Sequence, residues 1–134
     1  MTVVQHDAQY WSRQRQEWLD RVERLLKQID RWAQSQGWPV RRETVEIKEK
    51  HVGIYQAPAL TVTLPGGEVR AEPIALEILG RGDGRVDLEG YPTLNRVMLI
   101  WRAEGWEIIT DSGVPLHASW NKRTFVRLAQ ELVA

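Results

Sequence analysis

Asp87 and Glu89 are the first residues whose type and spacing suggest chemistry. They lie two apart in the segment RVDLEG, and residues two apart on a β-strand point to the same face. Two carboxylates on one face can share a divalent cation when a third acid approaches, for example Glu77 or Glu107 from another strand. The alternative is a solvated strand face on which arginines such as Arg85 neutralise the acids. The alternation of the strand favours this second interpretation.

Glu46 and Lys48 form a second candidate catalytic pair. The tripeptide Glu46-Ile47-Lys48 resembles the Glu-x-Lys element found on a strand of PD-(D/E)xK nucleases. The resemblance implies that the Glu46 carboxylate would hold a metal ion and that Lys48 would help position the attacking water. It covers three of the 134 residues. The family pattern also contains a metal-binding aspartate on the preceding strand, and no strand is predicted before Glu46.

The glycine-rich segment 80–84 invites three functional interpretations, which are an adhesion tripeptide, a calcium loop and a phosphate loop. A calcium loop starting at Asp83 would place Arg85 where an oxygen ligand is needed. A phosphate loop needs a following helix, whereas the next segment is predicted to be a strand. The adhesion interpretation needs export, which nothing in the sequence suggests. We therefore predict a turn between two strands.

Aromatic residues are the candidates for recognition rather than catalysis. Trp11, Trp18 and Trp32 lie on the apolar stripe of the first predicted helix. That stripe is either covered by the sheet or paired with its copy in a homodimer, and the sequence leaves both alternatives open. Tyr91 and Arg96 belong to the segment EGYPTLNR and suit recognition if this loop is exposed. The other alternative for the loop is a turn with internal hydrogen bonds.

Two helices are predicted, one at each end of the chain. Apolar residues recur four and three positions apart in the first segment and predict a helix over residues 8–36, capped by Asp7. The same spacing between residues 125 and 132 predicts a C-terminal helix, which Ser119 or Asn121 would cap.

Between the helices the apolar period changes to two, and short turns separate the segments. Pro73 cannot donate a ladder hydrogen bond, so its strand is bulged or lies at an edge there. The expected fold class is α+β, with an antiparallel meander of five to seven strands and both helices on one face of the sheet. We expect one domain, residues 1–134. The predicted strands are 44–48, 60–64, 68–79, 85–88, 96–101 and 106–110.

Composition excludes several classes of function. Eighteen basic residues balance eighteen acidic ones, so the positive field needed for nonspecific binding to nucleic acid or an anionic membrane is absent. The chain has no cysteine, which excludes disulfides, thiolate nucleophiles and cysteine zinc sites. No apolar run approaches the ~18 residues of a membrane span. We expect no cofactor, no resident metal and no export signal, and therefore a cytoplasmic protein.

The preferred hypothesis is a small non-catalytic binding or accessory protein of the adaptor or inhibitor type. It would act through contacts with an unidentified protein or through a homodimer formed by the N-terminal helix. A metal-dependent nuclease or phosphoesterase is the alternative. The third hypothesis is a DNA-contacting accessory protein, although nucleic acid is not the expected partner. That hypothesis would use Arg41, Arg42, Lys122 and Arg123.

Overall fold

The computed structural model describes residues 7–78 and 84–134. Within these ranges, six strands form one antiparallel sheet in the order β1-β2-β3-β4-β5-β6, which confirms the predicted α+β meander. Each strand therefore pairs with its neighbours in the sequence, and the short hairpins fix the register. The elements are α1 Ala8–Ser35, β1 Val40–Glu49, β2 Gly53–Leu64, β3 Gly67–Ala75, β4 Arg85–Tyr91, β5 Arg96–Arg102, β6 Gly105–Thr110 and α2 Lys122–Leu132.

Side-chain caps define where both helices begin. The Asp7 carboxylate accepts a hydrogen bond from the backbone N–H of Tyr10, as predicted for the start of α1. Asn121 rather than Ser119 caps α2, because its side-chain oxygen accepts from the N–H of Thr124. Helix α1 contacts β1, β2 and α2, and helix α2 also contacts β4.

The covered face of the sheet is the face that packs against these helices. Register places apolar residues of successive strands side by side on it, and all of them are buried with residues of α1 and α2. This one-sided apolar alternation is what lets a sheet and two helices share a core. The register pairs are Val62 with Val69, Ala71 with Leu88, Val86 with Leu99, and Leu99 with Ile108.

The β1–β2 hairpin changes the side that it turns toward the core. Tyr55 and Ala57 are odd-numbered core residues of β2, whereas Leu60 and Val62 are even-numbered core residues of the same strand. Strict alternation cannot bury both pairs from one flat strand, so the side of the strand that faces the core changes between Ala57 and Leu60. The part of the hairpin that contains Tyr55 thereby packs against the N-terminal half of α1, where Tyr55 meets Trp18.

A buried polar chain joins α1 to this hairpin. The indole N–H of Trp18 donates to the Tyr55 hydroxyl at 3.1 Å, and that hydroxyl donates to the Glu49 carboxylate. Trp18 has no exposed surface, so its polar atom needs this partner. Burial is the main cause that raises the pKa of the Tyr55 phenol well above its ordinary range, and the neighbouring Glu49 carboxylate raises it further.

The Glu49 carboxylate also ends the third strand. It accepts hydrogen bonds from the backbone N–H groups of Leu76 and Glu77, at 3.1 and 3.0 Å. These two groups are therefore engaged by a side chain, and β3 ends at Ala75 rather than at the predicted residue 79. The predicted irregularity at Pro73 is present as a register shift between Pro73 and Ala75.

Two glycines permit the closest approaches between the helices and the sheet. A Cβ atom on Gly90 would lie 2.1 Å from the carbonyl oxygen of Leu132, at the end of α2. Gly84 has a φ of +92°, and a Cβ atom there would lie 2.5 Å from the Trp18 ring. Apart from Gly84, the predicted turn at 80–84 lies outside the described residues.

Candidate functional site

The open face of the sheet is the face opposite the covered face. A row of polar residues crosses it from β1 to β5, and register pairs each member with the next. We call this set the cross-strand row. It consists of Arg41, Thr61, Arg70, Glu89 and Arg96.

Arg70 lies at the centre of the cross-strand row and is paired with acids on both sides. Its guanidinium is 3.3 Å from the Glu43 carboxylate and 3.4 Å from that of Glu72. Glu43 also accepts a hydrogen bond from the buried Thr61 hydroxyl at 3.1 Å. That hydrogen bond is the main cause that lowers the pKa of Glu43, and the positive charge of Arg70 lowers it further. The arginine is therefore held in one place by its neighbours.

Asp87, a candidate catalytic acid, is held between two arginines. Only 5% of it is exposed, and its carboxylate lies 2.7 Å from the Nε of Arg85 and 3.6 Å from a guanidinium nitrogen of Arg96. Arg96 also contacts Asp111 at 2.7 Å, and Asp111 raises the pKa of the Arg96 guanidinium. Asp87 is thus a neutralised hydrogen-bond acceptor rather than an open ligand for a cation.

A third carboxylate does approach Asp87, but an arginine accompanies it. Glu72 is the register partner of Asp87 on β3, and Arg70 lies beside it. The acids suggested by the sequence are engaged elsewhere, because Glu77 contacts His51 at 3.0 Å and Glu107 contacts Arg102 at 3.4 Å. Among residues 7–78 and 84–134, no three His, Asp or Glu side chains are grouped so that they could hold a metal ion.

Tyr91 borders two shallow depressions on the open face. One has a volume of about 190 Å³ and also touches Arg41 and Arg70, and the other is about 120 Å³ and reaches Asp87 and Arg96. Tyr91 is 38% exposed. Burial first, and then Glu89, raise the pKa of its phenol. Two of the predicted recognition residues, Tyr91 and Arg96, therefore lie together on one surface with Glu89.

Glu46 and Lys48 lie on β1, and both are exposed. Register places Glu46 opposite Gln56 and Lys48 opposite Ile54, so neither faces an acid on the neighbouring strand. The element before β1 is helix α1, so the preceding strand of the PD-(D/E)xK pattern has no counterpart in the described part of the chain. This arrangement gives Glu46 no second carboxylate with which to share a metal ion.

The three tryptophans of α1 are engaged within the chain itself. Trp18 is fully buried, Trp11 stacks on His51 at 5.2 Å, and Trp32 lies 5.4 Å from Trp120. Trp18 is therefore inaccessible to a partner. A homodimer through this stripe would lack its central surface, because the apolar residues between Trp18 and Trp32 are already packed in the core.

The basic residues suggested for DNA contact do not form one surface. Arg41 and Arg42 are consecutive on β1 and point to opposite faces. Arg42 makes a two-point ion pair with Glu23 of α1, at 2.9 and 3.0 Å. Lys122 and Arg123 lie elsewhere, beside Gln36 in a shallow surface groove along α2.

A cavity of about 410 Å³ is the main feature that sequence reasoning missed. We call it the tryptophan cavity, and it lies between α1, the β5–β6 hairpin and the start of α2. The available signal was the spacing of Trp101 and Trp106, which flank a two-residue turn and therefore pair across the hairpin. The third tryptophan comes from a distant part of the sequence. The aromatic and polar residues that line the tryptophan cavity include Arg21, Arg24, Gln28, Trp101, Trp106 and Trp120.

Comparisons with known proteins add no assignment to these sites. No protein-family model matches the chain, and no curated protein or solved structure matches it either. Neither of the described helices combines the length and apolar character needed to cross a membrane.

Proposed function

We propose that this chain is a non-catalytic accessory protein that binds another protein through the open face of its sheet. The observation that carries the proposal is the cross-strand row, in which arginines are fixed by acids before any partner arrives. Ordered side chains lose less conformational entropy on binding than mobile ones. Arginine and tyrosine are also the residue types enriched at the energetic centres of protein interfaces.

The charge and shape of the open face favour a protein over other classes of partner. Arg41, Arg70 and Arg96 alternate with Glu43 and Glu89, so the face has no continuous positive field of the kind that binds phosphate backbones. The depressions of about 190 and 120 Å³ are smaller than typical small-molecule sites of ~300–1,000 Å³. A broad surface with charges of both signs complements a partner with the opposite arrangement of charges.

The metal-dependent enzyme is not proposed as a second function. Asp87 is neutralised by Arg85, and Glu46 has no neighbouring acid across the β1–β2 ladder. A cation would have to displace an arginine from Asp87 before binding there. The cytoplasmic location stays a prediction from the sequence.

Site-specific photo-crosslinking in the source cells tests the proposal directly. A photoreactive amino acid replaces Tyr91 on the open face, and a matched variant carries it at Gln34, an exposed residue of α1. We expect a discrete protein adduct from position 91 and none of the same mass from position 34. An adduct of twice the chain mass would identify a second copy as the partner.

The crosslinked protein must then bind the purified chain without crosslinking. Arg96→Gln is expected to weaken that binding about tenfold, as one charge-assisted interfacial contact is lost. Arg13→Gln removes an exposed arginine of α1 and should leave the affinity unchanged. No adduct at position 91, or equal losses in both variants, would overturn the open face as the interface.

A further inference from the structure

We propose that the tryptophan cavity binds a small planar aromatic ring that carries an anionic group, either a phosphate or a carboxylate. This inference does not rest on the proposed function, because Trp101 and Trp106 belong to the covered face with Leu99 and Ile108. The cavity volume of about 410 Å³ lies within the ~300–1,000 Å³ range of small-molecule sites.

The aromatic walls are held in place by contacts within the protein. Trp101 and Trp106 are directly paired across the β5–β6 hairpin, with ring centroids 5.2 Å apart at an interplanar angle of 72°. The indole N–H of Trp120 donates to the side-chain oxygen of Gln28 at 3.2 Å, and the ring also packs near Trp32. Indole rings offer broad flat surface for stacking on another ring system.

The polar lining has one sign of charge. The guanidinium of Arg21 lies 4.7 Å from the centre of the Trp101 ring, and Arg24 lines the same cavity about one helical turn away. Both guanidinium groups contribute positive charge to the lining, and charge of that sign attracts a phosphate or carboxylate. Within the described part of the chain, no carboxylate lines this cavity. The lining therefore selects anions and disfavours the quaternary ammonium ligands that aromatic cages bind.

Arg24 is the residue best placed to supply binding charge. It is exposed, and the described residues offer it no ion pair. Asp20, one turn earlier on α1, accepts a hydrogen bond from Gln16 at 2.9 Å instead. A ligand anion at the mouth of the cavity would consequently meet an arginine that no acid among residues 7–78 and 84–134 already holds.

The turn that presents two of the indoles is conformationally strained. Ala103 and Glu104 both have positive φ angles, 48° and 64°, at the two central positions of the hairpin. Such turns ordinarily contain asparagine and glycine, because other residues meet steric resistance there. Strained backbone is often found at ligand sites, where the surrounding structure holds it in place.

Calorimetric titration of the purified chain with four probes tests the ligand class. Adenosine monophosphate and indole-3-carboxylate each combine a flat ring with an anion, whereas adenosine lacks the anion and inorganic phosphate lacks the ring. We expect at least one aromatic anion to bind about tenfold more tightly than both single-feature probes. Binding of only one aromatic anion distinguishes a phosphate from a carboxylate ligand. Failure of both to bind, or binding of adenosine or inorganic phosphate as tight as that of the tighter aromatic anion, overturns the proposal.

Two variants assign the binding to the tryptophan cavity. Arg24→Gln should weaken the aromatic anion about tenfold and leave adenosine unaffected, because only the charge interaction is removed. The matched control is Arg31→Gln, an exposed arginine two turns further along α1, which should change neither affinity. Equal weakening in both variants would overturn the assignment to this cavity. Ligand-induced shifts of the indole N–H resonances of Trp106 and Trp120 provide a readout independent of these substitutions, and their absence on saturation overturns it as well.

Discussion

The two faces of the sheet are built from the same strands but are ordered by different forces. Strand β4 supplies Val86 and Leu88 to the covered face, where neither has exposed surface, and Asp87 and Glu89 to the open face. On the covered face, the removal of apolar area from water and the fit of side-chain volumes decide which residues lie where. On the open face, the pairing of opposite charges across strands makes that decision.

A sheet face that the helices do not cover can still bury residues. Ile100 and Ile109 belong to the open face and are 4% and 9% exposed, and Asp87 is buried to the same degree. Long arginine side chains can cover apolar surface while their charged ends stay near water. Arg85 is the register partner of Ile100, so an arginine that pairs with an acid also lies beside a buried apolar residue of this face.

The largest effect is expected from the polar chain of the covered face. Tyr55→Phe leaves the buried indole N–H of Trp18 without its acceptor and removes a donor from Glu49. We expect the free energy of unfolding to fall by about 2–3 kcal/mol near neutral pH. Chemical denaturation measures this loss. The matched control is Tyr10→Phe, which changes a phenol that takes no part in the Trp18–Tyr55–Glu49 hydrogen bonds.

The free energy of unfolding that Tyr55→Phe removes should also depend on pH. The folded protein raises the pKa of Tyr55, so the neutral phenol favours folding. This contribution is complete below the unfolded pKa of about 10 and declines above it, by up to about 1.4 kcal/mol per pH unit. The stability difference between wild type and Tyr55→Phe should therefore shrink as the pH rises above about 10. A difference that stays constant would contradict the buried phenol.

A smaller loss is expected from the centre of the open face. Asp87→Asn keeps the side-chain size but removes the negative charge between Arg85 and Arg96, which then repel each other. The expected loss is about 1–2 kcal/mol in the free energy of unfolding. Glu46→Gln, at an exposed site, should change it by less than ~0.5 kcal/mol. Equal effects of the two substitutions would show that charge pairing does not order this face.

Local sequence patterns predicted the helices and strands because the formation of each element depends largely on residues that are close in sequence. The spacing of apolar residues placed α1 over 8–36, against the observed Ala8–Ser35, and the cap at Asp7 followed from residue type. The six strands fell within the predicted five to seven because turns bound each segment, and most segments alternate apolar with polar residues, although residues 97–101 are apolar throughout. Pro73 correctly indicated the irregularity in β3, because proline has no backbone N–H to donate to the neighbouring strand.

The assembly of the candidate sites depended on distances that no local pattern contains. Trp120 and Gln28 meet across 92 positions of sequence, so the tryptophan cavity follows only from how α1 docks on the sheet. The sequence also did not show that the β1–β2 hairpin changes the side that faces the core, which buries Tyr55 beside Trp18. Asp87 was recognised as an interesting acid, but its register partners decide that arginines neutralise it.

The smallest expected effect is a gain in stability, at the hairpin of the tryptophan cavity. Replacing Ala103→Asn together with Glu104→Gly supplies residues that tolerate positive φ, and should raise the free energy of unfolding by about 1 kcal/mol. The control Ala103→Ser with Glu104→Gln changes both residues without relieving the backbone, and should give no gain. Thermal and chemical denaturation of the two variants measures the difference. Equal stability of both variants would mean that this turn stores no strain, and the packing of Trp101 and Trp106 would then account for the hairpin on its own.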